Sequence, residues 1–283
     1  MKKKTIGIFF SILMISTIVI PAAAITERSE IATISNDADV PIWKKGYSWT
    51  YHFYETSSFP IAYFLTGDLT FNVLDDSGDS YIIEALTRPT GAFDLGGYGL
   101  KATKFTKFFM RLKIRKSDFG LENFNENIKG ILFIKIGSIT LPIPLQVEAN
   151  LDVECDPTWP FIPFPLYDGK SGLLSGTEFI QTNYYISLFW GLVPVDRSPL
   201  ISWPITPVPY TCSEEQITID DRTFDVFNVS AEWIDGSRFE SYYCEEVGNV
   251  AKEEIYIHYG GGLVRYALTL ELKDWSCGFM HNK

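Results

Sequence analysis

The chain has 283 residues, 24 of them basic and 35 acidic, and 15% aromatic. That acidity excludes a nucleic-acid partner, whose phosphates it would repel, and an apolar fraction of 46% excludes a disordered chain. The aromatics are mostly Phe and Tyr, which suit strands. The expected class is therefore all-β: curved antiparallel sheet, in a meander-rich half-barrel or sandwich, with few helices after the N-terminal segment.

In chain order, Met1-Lys2-Lys3-Lys4 is a positive n-region, Thr5 to Ile20 is apolar and uncharged, and Ala22 and Ala24 satisfy the small-x-small rule. This predicts a signal peptide over 1–24, cleaved after Ala24. The apolar run is shorter than the ~20 residues a spanning helix needs, and Pro21 breaks it. Retention as an anchor is the alternative. Cleavage leaves 21 basic against 35 acidic residues, a secreted or cell-surface product with no stable membrane span. Residues 25–40 read as a flexible leader, 41–155 as an N-terminal β region and 156–279 as a C-terminal one.

Trp49, Tyr51 and Phe53 alternate with Thr50, His52 and Tyr54, a strand period. Leu69, Phe71 and Val73 mark a second strand, and Asp75-Asp76-Ser77-Gly78-Asp79 turns it into a third over Tyr81–Leu86. Residues 97–107 fit helix or strand, and 108–116 alternate as a strand. Leu145 to Glu154 alternates without a break, so one face is buried and one is wet. Eleven of the fifteen prolines lie between Pro142 and Pro209. Proline lacks a ladder donor, so these stretches are expected as loops or edges. The proline-free end is strand after strand, and Gly260-Gly261-Gly262 turns its last hairpin.

The four cysteines, Cys155, Cys212, Cys244 and Cys277, are even in number and all fall in the second half. In an exported chain they predict two disulfides, with three connectivities open. Spacings of 57, 32 and 33 residues exclude a C-x-x-C redox or zinc site.

Little else carries chemistry. Gly97-Tyr98-Gly99-Leu100-Lys101-Ala102 matches a dinucleotide fingerprint, but a strand before it and a helix after it are needed. Asp75, Asp76 and Asp79 are turn residues without the twelve-residue calcium pattern. His52, His258 and His281 lack metal spacing, and no G-x-S-x-G elbow occurs. No cofactor or metal is expected. The basic run Lys101 to Lys116 suits a docking patch for an anionic surface, or a wet strand face paired with Glu148, Asp152 and Glu154. Asn228-Val229-Ser230 is a glycosylation sequon if Asn228 faces outward. Trp159, Phe161, Phe164 and Trp203, in proline-rich surroundings, suit either a ligand groove or a loop closing the end of a barrel.

Two segments, Trp43-Lys44-Lys45-Gly46-Tyr47-Ser48-Trp49-Thr50-Tyr51 and Tyr242-Tyr243-Cys244-Glu245-Glu246-Val247-Gly248-Asn249-Val250-Ala251-Lys252, resemble segments of uncharacterised exported β proteins from archaea. Phe164-Pro165-Leu166…Gly169 is similar too. The resemblance implies a strongly curved antiparallel sheet, distantly like the half-barrels of lipoprotein-carrier folds, which cradle lipid or another apolar group. The function expected is a non-enzymatic binding module for an apolar or amphipathic ligand. The alternatives are a structural or interaction protein at the cell surface and an enzyme acting on glycans.

Overall fold

The computed structural model describes residues 38–57, 62–95, 100–136, 139–160, 162–174, 176–188, 193–196, 202–205, 207–234, 236–258 and 264–277. The expected signal peptide, most of the leader, Phe161 and the triple-glycine turn lie outside the described residues. Those described form sixteen strands and no helix. In chain order they are β1 (Ser48–Ser57), β2 (Ala62–Asp75), β3 (Ser80–Thr87), β4 (Thr90–Leu95), β5 (Leu100–Arg115), β6 (Gly120–Ile136), β7 (Ile139–Pro160) and β8 (Ser171–Leu174). They continue as β9 (Thr177–Leu188), β10 (Val193–Asp196), β11 (Ser202–Ile205), β12 (Val208–Ile219), β13 (Arg222–Glu232), β14 (Arg238–Cys244), β15 (Asn249–His258) and β16 (Val264–Ser276).

All sixteen join one sheet, in the order β10-β9-β7-β6-β5-β3-β2-β1-β16-β15-β14-β13-β12-β8. Short β11 also pairs with β9, and β4 bridges β2 and β5. The pairs are antiparallel, and the first strand lies against the last. The two regions expected from the sequence are thus hydrogen-bonded together, and β7 runs through the junction between them.

The sheet curls until its arms face one another. β7 and β14 are far apart in strand order, yet the Trp159 and Phe239 rings approach to 6.4 Å. Phe164, just after β7, meets Tyr243 of β14 edge-on at 5.0 Å. Bulges assist the curl: the β5–β6 register shifts at three places, and each extra residue bends and twists its strand. Inside lies one principal core, fed by inward positions such as Trp49, Tyr51, Val73, Leu151, Val229 and Leu272.

The ambiguous stretch 97–107 is strand from Leu100 onward, because β5 is paired on both sides by β3 or β4 and β6. A short strand, β4, does precede the glycine run, but β5 rather than a helix comes after it, so the dinucleotide context is absent. The prolines are less disruptive than expected. β7 contains Pro142, Pro144, Pro157 and Pro160, but its pairing with β9 covers only Val147 to Asp156. Pro209 likewise precedes the β12–β13 ladder, which starts at Tyr210. Proline is tolerated there because these stretches are paired on one side only.

All four cysteines are free thiols, so the two expected disulfides are not formed. Cys155 sits on β7, Cys212 on β12, Cys244 ends β14 and Cys277 follows β16. No two of these strands are neighbours in the sheet. Cys244 and Cys277 come nearest one another, since both thiols hydrogen-bond to the backbone of Val247, Cys277 through the carbonyl at 3.1 Å, but they remain separate thiols. Burial pushes the Cys155 thiol up to about 12 and those of Cys212 and Cys244 to about 11.

Candidate functional site

The first element of the site is the approach to β1. Trp43, Trp49 and Tyr51 are buried, and the two indoles pack at 4.7 Å. Their polar atoms converge on the β14–β15 turn. Trp43 Nε1 donates to Gly248 O at 2.7 Å, Trp49 Nε1 to Val247 O at 3.0 Å and Tyr51 Oη to Val250 O at 2.9 Å. Gly248 has φ +66°, the left-handed region that favours glycine, and this conformation turns the carbonyls of 247–250 toward the aromatics. The two segments that carried the resemblance are therefore one structure: the aromatics of the first satisfy the turn of the second.

Above this layer the curved sheet forms a half-open cavity of about 100 Å³. One wall is β1, β2, β3 and β5, with Phe71, Ile83 and Leu112 beside the β1 aromatics. The other is β14, β15 and β16, with Ser241, Glu253 and Leu270. Phe119, from the β5–β6 turn, and Ile162, after β7, complete the lining. Glu253 is the one charged side chain among these residues. Burial raises its carboxyl from 4.5 to about 7. The side chain is half-buried and borders the cavity.

Two further carboxyls are sealed in the interior. Glu55 continues the inward series Trp49, Tyr51, Phe53 on β1, and Glu126 sits between Phe124 and Ile128 on β6. They are 1% and 0% exposed, and among the described residues neither Glu126 oxygen has a hydrogen-bond partner. Burial, and then the Glu55 charge, holds the Glu126 carboxyl well above the usual range. A glycan cannot reach this pair, because acid–base hydrolysis needs carboxyls in an open cleft.

On the outer face, His52 Nδ1 lies 2.9 Å from Asp68 and its Nε2 lies 3.3 Å from Thr66 Oγ1. Lys273 and His52 hold Asp68 below the usual carboxylate range. The order Thr–His–Asp resembles a nucleophilic relay, but His52 and Asp68 are each half exposed on a flat strand pair. His52 pairs directly with Asp68 across β1 and β2 and Lys273 also reaches Asp68, so cross-strand pairing accounts for the cluster.

Of the aromatics singled out from sequence, Trp159 and Phe164 pack beside the cavity and are not among its described lining residues. Trp159 is buried against Phe179 and Phe239. Phe164 packs edge-on to Phe119 and Tyr243, behind a residue that lines the cavity. Trp203 lies on edge strand β11, opposite Phe179, and Phe161 is outside the described residues. Asn228 points away from the core between inward Phe227 and Val229, with its amide oxygen buried. The basic run of β5 pairs with acids, but not those expected. Arg111 meets Glu84, Lys113 meets Glu122 at 3.0 Å and Arg115 meets Asp118. Glu148, Asp152 and Glu154 sit on β7, with β6 between them and β5. Among the described residues no group of three or more His, Cys, Asp or Glu could hold a metal ion.

Fold and site together define an all-β protein whose single curled sheet forms an aromatic-lined, half-open cavity with one carboxyl in its wall. No protein family and no curated protein matches the chain. Among solved structures it is similar to a beta-barrel-like protein of a domain of unknown function, DUF1849, from Brucella abortus. The two share 10% identity at a TM-score of 0.35, over 82% of this chain and 97% of that one.

Proposed function

We propose that the protein is a non-enzymatic binding module that holds a small apolar or amphipathic molecule inside its curled sheet. The observation that carries this is the cavity of about 100 Å³, walled by aromatic and aliphatic side chains from both arms. Drug-sized pockets run to roughly 300–1,000 Å³, whereas an engineered apolar cavity of roughly 150 Å³ holds benzene. The ligand is therefore a small molecule, or one end of a larger one, rather than a whole two-chain lipid. That narrows the lipoprotein-carrier comparison to its general shape. Export by a cleaved signal peptide, with action at or outside the cell surface, belongs to the same proposal and rests on residues 1–24.

The test is a cavity-filling variant. Leu112 keeps accessible surface because it faces the cavity, so Leu112→Phe adds a ring where there is room. Binding of 1-butanol, monitored by tryptophan fluorescence, is expected to be lost in Leu112→Phe while its circular dichroism stays that of the parent chain. Unchanged binding in a folded Leu112→Phe would sink the proposal.

A further inference from the structure

The chemistry of the cavity wall narrows the ligand further. The N–H groups of Trp43 and Trp49 and the hydroxyl of Tyr51 are already committed to the carbonyls of Gly248, Val247 and Val250. What these side chains still offer is π surface, and Phe71, edge-on to Tyr51 at 5.9 Å, adds more. Asn249 Oδ1 is occupied by the Val250 N–H. The remaining polar side-chain groups of the wall are the Asn249 amide nitrogen, the Glu253 carboxyl and the Ser241 hydroxyl, the last two opposite each other on neighbouring strands. Among the described residues no Lys, Arg or His lines the cavity. The ionisable side chains sealed deepest in the interior, Glu55 and Glu126, are also acids.

Ring faces and one carboxylate without a fixed cation form an environment of negative potential. Aromatic rings attract a cation placed over their faces, and more strongly when water is excluded. Beside a neutral ligand Glu253 would take up a proton, and an anionic ligand would be repelled by its ionised form, whereas a cation supplies the counter-charge that the carboxylate lacks in this wall. Resting on the binding reading above, we propose that the ligand of this cavity is a small apolar cation, an ammonium group bearing a hydrocarbon chain, with Glu253 as its counter-charge and Ser241 as a hydrogen-bond acceptor.

The titratable groups in the wall are Tyr51 from β1 and Glu253 itself; β14 contributes Ser241 and β16 contributes Leu270. An ammonium ion stays charged well above neutrality, whereas Glu253 at about 7 is half protonated there. Its binding favours the ionised carboxylate, so at pH 7 it releases up to about half a proton, and affinity rises with pH until Glu253 is fully ionised.

The experiment is calorimetry on the full chain with three probes of equal carbon number: n-butylammonium, 1-butanol and butyrate. The expected result is n-butylammonium at least tenfold tighter than 1-butanol, with butyrate weakest. Glu253→Gln is expected to abolish that preference while 1-butanol still binds. Should Glu253→Gln fail to fold, the unaltered chain decides. Titrations at pH 7 in buffers of different ionisation enthalpy should show proton release with n-butylammonium and none with 1-butanol. If 1-butanol binds as tightly as n-butylammonium, or the preference survives Glu253→Gln, or no proton is released, the cation assignment falls and the binding module stands. If none of the three probes binds, the binding module falls as well.

Discussion

Two layers of the same interior treat their polar groups in opposite ways. Around Trp43, Trp49 and Tyr51 every donor finds a carbonyl of the β14–β15 turn. About 20 Å farther along β1, Glu55 faces Glu126, whose oxygens are bonded to nothing among the described residues. Burying a satisfied polar group costs little, while burying an unsatisfied charge forces it neutral. The first layer is thus a rigid frame, and the second is a local cost that the rest of the fold offsets. Glu253 stands between these limits, since it is half-buried in the wall and borders the cavity.

The largest effect expected is from breaking the frame. Trp49→Ala removes a fully buried indole, opens space in the core and leaves the Val247 carbonyl with only the weak Cys277 thiol donor. Large aromatic deletions cost about 3–5 kcal/mol, so the urea midpoint measured by circular dichroism should fall steeply. A loss below about 1 kcal/mol would mean that the aromatic layer does not organise the turn.

The sealed layer should respond in the opposite direction. Because the Glu126 carboxyl titrates above its unfolded value, folding disfavours the ionised form. The cost is absent below pH 4, appears as pH rises through the ordinary carboxylate value and persists at neutrality. Glu126→Leu, of similar volume, is therefore expected to stabilise the protein at pH 7 by about 1–4 kcal/mol and by less at pH 3.5, where only the unbonded neutral carboxyl is replaced. Equal effects at the two pH values would show that packing, not charge, dominates there.

Much of this fold is visible in residue alternation, and the site less so. The clean alternation over Leu145–Glu154 is the doubly paired centre of β7, but the true strand runs from Ile139 to Pro160. Its ends are defined by a partner strand and not by local preference, so proline could mask them. The placement of Trp43, Trp49 and Tyr51 against residues 247–250 joins positions some 200 apart, and no local pattern reports that. Two interior acids were nonetheless legible. Glu55 extends the Trp49, Tyr51, Phe53 series by one more inward step, and Glu126 falls on the Phe124–Ile128 face. Of adjacent Glu253 and Glu254, alternation requires one to face inward, but the extra residue Ala251 on β15, opposite Tyr242 and Tyr243, is part of what decides which, and bulges are not written in composition. The proline-rich aromatics drew attention by composition alone, and those with described side chains pack behind the cavity.

Glu253→Gln gives the smallest expected effect and the sharpest comparison between the layers. Its carboxyl rises from 4.5 to about 7, so the folded state loses stability as pH climbs through that window and no more above it. The shift sets a ceiling of roughly 3 kcal/mol, reduced because the replacement amide also needs partners. A gain of about 1 kcal/mol at pH 8, vanishing at pH 4, is expected for the unliganded chain from urea titrations at the two pH values. With n-butylammonium present the sign should reverse at pH 8, because the carboxylate then has a counter-charge that only the parent chain can use. Glu126→Leu should show no such reversal, since its carboxyl is not among the residues lining the cavity. A ligand-dependent sign at Glu253 together with a ligand-independent one at Glu126 would separate a carboxyl kept for binding from one that is only buried.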